Sequence, residues 1–238
     1  MSCTYLHRHT RIVNEYGLWD TFLRLFQTKH GDFTMINRNL VFSAAAVLLL
    51  TTQTGIAGDV DSLMQGCNDC HGDQGVSQWT DVPTIAGLAE FVHADALYIY
   101  RDKERPCMDS AYRQGDTSRA ETNMCAIAAE LSDDEIDALA AAYAELPYVP
   151  AKQDFDAALA ATGKAIHEKS CDRCHSDGGT NPDDEAGMLG GQQLGYLRNS
   201  FEEYAAGTRE QPKKMQEVMS ELSADDVEAL LHYYASVQ

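Results

Sequence analysis

The sequence predicts an all-α protein built from two tandem copies of one helical domain, at residues 58–149 and 150–238. Three observations carry this. Apolar residues recur at helical spacing behind polar starts: Ile136, Leu139, Ala140 and Tyr143 after Ser132, and Val227, Leu230, Leu231 and Tyr234 after Ser223. No stretch alternates apolar and polar residues as a half-buried strand would. The chain also aligns on itself, because Cys67-Asn68-Asp69-Cys70-His71 returns 104 residues later as Cys171-Asp172-Arg173-Cys174-His175.

Residues 1–57 stand apart from the rest of the chain. Met35 opens a run in which Arg38 precedes an apolar stretch from Leu40 to Leu50, with small residues at Gly55 and Ala57. That order is a secretory signal, expected to be cut after Ala57. From Met35 the signal has an ordinary length, so Met35 is the expected start and residues 1–34 an extension. The apolar run is short for a spanning helix, and no stable membrane insertion is expected after cleavage. The destination is the periplasm. Formal charge is −19, and residues 58–238 hold 13 basic and 34 acidic residues, a net of −21. Such a chain repels nucleic acid and anionic membrane faces. It suits a partner with a basic docking face, or simply solubility.

A helix is expected at Asp59–Gly66 in the first copy and Asp156–Ser170 in the second, each leading into its cysteine motif and crossing the last helix of its copy. The repeat keeps its step of 104 through Ile85-Ala86-Gly87 and Leu189-Gly190-Gly191, Leu97 and Phe201, and Tyr100 and Tyr204, the last two pairs read as core positions. Further on the step falls to 91, pairing Met124 with Met215, Leu131-Ser132 with Leu222-Ser223, and Tyr143 with Tyr234. The first copy therefore carries 13 extra residues between about Arg101 and Thr122. Ser132 with Glu135 makes a capping box and Ser223 with Asp226 a weaker one. Two prolines in Leu146-Pro147-Tyr148-Val149-Pro150 end the first copy and stiffen the link.

Cys-x-x-Cys-His is the attachment signature of a c-type haem. Two thiols three residues apart reach the two vinyl groups, and the histidine beside the second becomes the proximal iron ligand. Paired zinc half-sites and redox dithiols are the competing readings of Cys-x-x-Cys. Two matches in an exported chain favour two covalent haem c groups, on Cys67 and Cys70 with His71, and on Cys171 and Cys174 with His175. Met124 and Met215, at matching places downstream, are the expected sixth ligands, and Met/His iron suits electron transfer. Met108, Met188 and Met219 lack a counterpart. Pro83 is expected to aim a carbonyl at the His71 Nδ1–H and tune that ligand. Gly187 stands there in the second copy, which predicts a different support for His175. His93, His167 and His232 read as packing or surface residues. Cys107 and Cys125 are expected to form a disulfide that closes the extra loop and holds the Met124 segment, worth roughly 3 kcal/mol on loop-entropy grounds. The alternative makes one of them a haem ligand.

On these residues the mature chain resembles the dihaem cytochrome subunit of flavocytochrome c sulfide dehydrogenases, and more broadly the two-domain dihaem cytochromes c. The second copy carries most of the likeness: Pro150-Ala-Lys-Gln-Asp-Phe-Asp-Ala-Ala-Leu-Ala, Gly163, the run from His167 to His175, Gly178-Gly179, Pro212-Lys-Lys-Met215 and Tyr234-Ala-Ser. The resemblance implies two class I cytochrome c domains with His/Met iron. It also implies a flavoprotein partner, carrying the FAD, that oxidises sulfide and feeds the haems, and a soluble cytochrome or other acceptor that drains them. The chain by itself would be no enzyme. The extra residues around Cys107 depart from the pattern. Two other readings stand beside this one: a free-standing dihaem carrier, and a dihaem enzyme of thiosulfate dehydrogenase or peroxidase type. The enzyme needs an open or Cys-ligated iron and an anion pocket; Arg101, Lys103, Arg105, Arg113 and Arg119 cluster in the insertion, where they read first as solvated surface or a docking face and only in the enzyme reading as that pocket.

Overall fold

The structure, a computed structural model, describes residues 57–238. The expected signal, its cleavage site, the Met35 start and Cys3 lie outside the described residues, save Ala57 itself. The described residues fall in one compact unit. They form helices without strands, apart from one isolated antiparallel bridge between Ser110 and Thr122.

Four helices of the first half each have a counterpart in the second. They are α1 (Ala57–His71), α2 (Glu90–Arg101), α3 (Met124–Ala129) and α4 (Asp133–Ala144), then α5 (Ala157–Ser170), α6 (Leu194–Ala205), α7 (Lys213–Met219) and α8 (Ala224–Ser236). The packing repeats too. The first helix of each half lies on the last, as does the second, and the second also meets the third. Two apolar clusters result. One centres on Ile85, Leu139 and Tyr143, the other on Leu197, Leu230, Leu231 and Tyr234.

The last helices start where the sequence says. Ser132 Oγ accepts from Glu135 N at 3.3 Å and Glu135 returns the bond to Ser132 N at 2.7 Å. Ser223 and Asp226 do the same at 3.2 and 2.9 Å, so the second box is as complete as the first. Such a box satisfies two of the four donors that a helix start leaves open. In α5, Gly163 is required by contact: a Cβ there would stand 2.0 Å from the Ala229 carbonyl oxygen of α8.

The halves interlock through side chains buried between them. Gln192 accepts from Thr84 N at 2.8 Å and donates to Thr84 O at 2.9 Å. Gln193 donates to Ser77 O at 2.7 Å. Helix α6 has no side-chain cap of its own. Thr80 of the first half supplies it, its Oγ1 accepting from Gly195 N at 3.0 Å and its carbonyl from Tyr196 N at 2.8 Å. Tyr148, in the proline link, packs on Gly87 and donates to Gly190 O at 2.9 Å.

Candidate functional site

Each Cys-x-x-Cys-His motif hangs from the first helix of its half and is pressed against the last. In the first half the whole motif completes α1. Cys67 joins the core cluster of Leu139 and Tyr143, and burial pushes its thiol up to about 11. In the second half α5 stops at Ser170, and residues 171–175 continue as hydrogen-bonded turns. Cys171 packs on the Tyr234 cluster and its thiol is likewise raised by burial. Tyr143 and Tyr234, the pair at a step of 91, thus hold equivalent places. Raised thiols are the reverse of the low-pKa thiolates that redox dithiols need. No group of three or more metal-binding side chains is found among the described residues.

The histidines are aimed in the same way in both halves. His71 Nδ1 lies 2.9 Å from the Pro83 carbonyl. His175 Nδ1 lies 3.2 Å from the Gly187 carbonyl. A carbonyl only accepts, so each Nδ1 carries the proton and each Nε2 keeps its lone pair for a metal. The expectation of a different support for His175 is therefore corrected. The interaction uses a backbone oxygen, which glycine supplies as well as proline does, and both oxygens come 12 residues after their histidine.

Met124 opens α3 and Met215 lies in the first turn of α7, each at the end of the loop after the second helix of its half. Asn123 fixes the start of α3 by accepting from Ala126 N at 3.0 Å. Among the rivals, Met188 is buried in packing and Met108 is 59% exposed. His93 stacks on Tyr143, His167 lies between Tyr233 and Tyr234 with its Nδ1 3.1 Å from the Tyr234 hydroxyl, and His232 accepts from Asp156 N at the start of α5. All three read as structural.

Cys107 and Cys125 are joined as a disulfide with Cα atoms 5.8 Å apart. In that form neither thiolate is available to ligate iron. Four of the five basic residues considered for an anion pocket are partnered by carboxylates. Arg101 pairs with Asp133, Arg105 with Glu203, Arg113 with Asp81 and Arg119 with Asp69.

Sequence reasoning missed one cluster. Arg105 and Arg209 stand 104 residues apart and meet on Glu203, at 3.4 and 3.7 Å. Each guanidinium stacks on the tyrosine of its own half, Arg105 on Tyr100 at 4.3 Å and Arg209 on Tyr204 at 4.5 Å. Tyr100 and Tyr204 are thus arginine platforms where the halves meet rather than plain core residues. The step of 104 runs on to Arg105, so the extra residues begin after it. Extending the self-alignment by five positions beyond Tyr100 and Tyr204 would have found the pair. Burial alone would raise the Tyr196 phenol, yet Arg105 and Arg209 outweigh it and bring it down to about 8.

Cys67, Cys70 and Cys171 are free thiols, while Cys174 stands in a disulfide. The first motif therefore fits a haem c as it stands, the second would fit one once that bond is opened, and His71 and His175 would be the proximal ligands. The buried Nε of Arg105 has no hydrogen-bond partner, and two guanidiniums share one carboxylate, which leaves a buried positive excess where a carboxylate such as a haem propionate would be neutralised.

Comparison with known proteins agrees with this arrangement. Residues 158–233 match the family described as cytochrome c oxidase, cbb3-type, subunit III. The chain is 28% identical over 216 residues to the thiosulfate dehydrogenase electron acceptor of Stutzerimonas stutzeri, covering 82% of this chain and 93% of that one. It is 26% identical over 210 residues to cytochrome c4 of Pseudomonas aeruginosa, covering 82% and 96%. The crystal structure of reduced cytochrome c4 from Pseudomonas stutzeri superposes with a TM-score of 0.61 at 24% identity, over 78% of this chain and all of that one. The fold is that of the dihaem class I cytochromes c4.

Proposed function

We propose that the chain is a periplasmic dihaem c-type cytochrome that carries electrons and breaks no substrate bonds. Cys67 and Cys70 would hold one haem with His71 and Met124 on its iron, and Cys171 and Cys174, the latter once its disulfide is opened, the other with His175 and Met215. The observation that carries this reading is the pair of histidines, each closing a Cys-x-x-Cys-His and each held by a carbonyl 12 residues on, with Nε2 free to bind. When bound, haem supplies the one-electron chemistry. The chain's own residues bury the macrocycle's surroundings, fix the proximal imidazoles and place Arg105 and Arg209 to neutralise carboxylates between the halves. Mutual burial of the halves favours transfer within one chain.

The donor we propose is a flavoprotein sulfide dehydrogenase, on the resemblance of the second half and the strongly acidic surface. A second reading, a free-standing dihaem carrier, is supported by the likeness to cytochrome c4 and to an electron acceptor of thiosulfate dehydrogenase. Purifying the untagged protein from its native periplasm separates the two. A flavin band with a larger second chain, and haems reduced by sulfide, is the expected result. A lone dihaem protein would overturn the flavoprotein complex and leave the free carrier.

A further inference from the structure

The insertion folds back onto the first motif, and among the described residues no segment is laid over the second in the same way. Arg113 N and Gln114 N both donate to the Asp69 carbonyl inside Cys67-Asn68-Asp69-Cys70-His71, at 2.9 and 3.0 Å. Gly115 lies so close that a Cβ would stand 2.7 Å from the Asp69 carboxylate. Arg119 pairs with that carboxylate while stacking on Tyr112 at 3.5 Å. Gln114 reaches Asp73 at 3.0 Å and Arg113 reaches Asp81 at 2.5 Å. Both ends of the segment are tied, by the Ser110–Thr122 bridge and by the Cys107–Cys125 disulfide. The result is that Asp69 is 9% exposed and His71 8% exposed. The corresponding Arg173 is exposed and His175 only half-buried.

We propose that residues 106–122 form a fixed lid over the front of the first motif, so that the external redox partner, a protein with a basic docking face, exchanges electrons through the second motif. Thioether bonds tie one edge of the macrocycle to its motif, so what covers the motif covers that edge. Electron transfer weakens steeply with distance, and an interposed stapled segment keeps a partner away. The lid's Arg113 and Arg119 are neutralised by Asp81 and Asp69 while its Asp109, Asp116 and Glu121 reach solvent, so the lid acts through the distance it imposes and not through a lack of charge. Around the second motif Asp172, Asp177, Asp183 and Glu185 reach solvent with Arg173, a net negative front that steers a basic partner. This inference rests on the electron-transfer reading above.

The test uses the dihaem protein and a lysine-rich mitochondrial cytochrome c as the probe, with electron exchange followed by stopped flow at low ionic strength. Asp172→Asn, Asp177→Asn and Asp183→Asn combined should slow exchange about tenfold, an effect lost at high salt. Glu121→Gln with Asp109→Asn, on the lid, should change the rate less than twofold. Cross-links to the probe should fall within 168–185. Cross-links confined to 106–122, a rate that tracks the lid charges, or a rate that ignores both sets would overturn the proposal. A wild-type protein without haem, or one that exchanges no electrons, would instead overturn the electron-transfer reading and this inference with it.

Discussion

The two halves share four helices, two capping boxes and one way of holding a histidine, yet they treat their motifs differently. In the first half the motif finishes a helix whose last turn is tied down by the insertion: the Asp69 carbonyl receives Arg113 N and Gln114 N. In the second half the helix ends one residue before the motif and the motif itself is a chain of turns. The second half is instead built around a tight helix crossing at Gly163, and it takes the cap for α6 from Thr80 of the first. One repeat has gained an attached cover and the other has come to depend on its neighbour. Duplicated domains can therefore keep their ligand geometry while dividing protection and docking between them.

The largest effect should come from that crossing. Gly163→Val places side-chain atoms inside the contact with Ala229 O and should cost about 3 kcal/mol or more, seen as early unfolding of the second half in hydrogen exchange. An unchanged exchange pattern would mean the α5–α8 crossing is looser than described.

Next is the seam. Gln192 is 2% exposed and satisfies both backbone groups of Thr84. Gln192→Leu strands a buried donor and acceptor and should cost about 2 to 3 kcal/mol. It should also separate the unfolding of the halves, which calorimetry would show as a broadened or split transition. Replacing Cys107 and Cys125 by Ser should cost roughly 3 kcal/mol or somewhat less. That loss should fall on the first half alone, with faster amide exchange at 69–72.

A pH experiment sharpens the comparison further. His93 is buried in the first half where the second has Leu197, and burial lowers its pKa to about 4. In the unfolded chain it titrates near 6.5. Between those values the unfolded state binds the proton and the folded state does not, so stability falls as pH drops from about 6.5 toward 4. His93→Leu should remove part of this acid loss, raising Tm at pH 5 more than at pH 7.5. An equal shift at both pH values would contradict it. The smallest effects should be the most alike: Ser132→Ala and Ser223→Ala each remove a complete capping box and should each cost about 1 kcal/mol.

Much of this was legible in the chain because repetition is a form of evidence. The motifs, the serine caps, Met124 with Met215 and Tyr143 with Tyr234 all stand out when the sequence is laid on itself. The role of Pro83 was legible as a carbonyl, but its equivalence with Gly187 was hidden, because a backbone oxygen leaves no mark on residue type. The basic residues of the insertion looked like a patch, since charge is visible in a sequence and pairing is not. Asp69, Asp81, Asp133 and Glu203 lie 32 to 98 residues from their arginines. The link between the halves was equally silent: Gln192 and Thr84 are 108 residues apart and have no counterpart pair in the repeat.

The most direct test of the central claim is a count of haems and ligands on the purified protein. Two covalent haems per chain are expected, with a methionine–iron charge-transfer band whose intensity halves in Met124→Ala, halves likewise in Met215→Ala, and vanishes in the double variant. A single haem, or a band indifferent to both substitutions, would contradict the two-domain His/Met account.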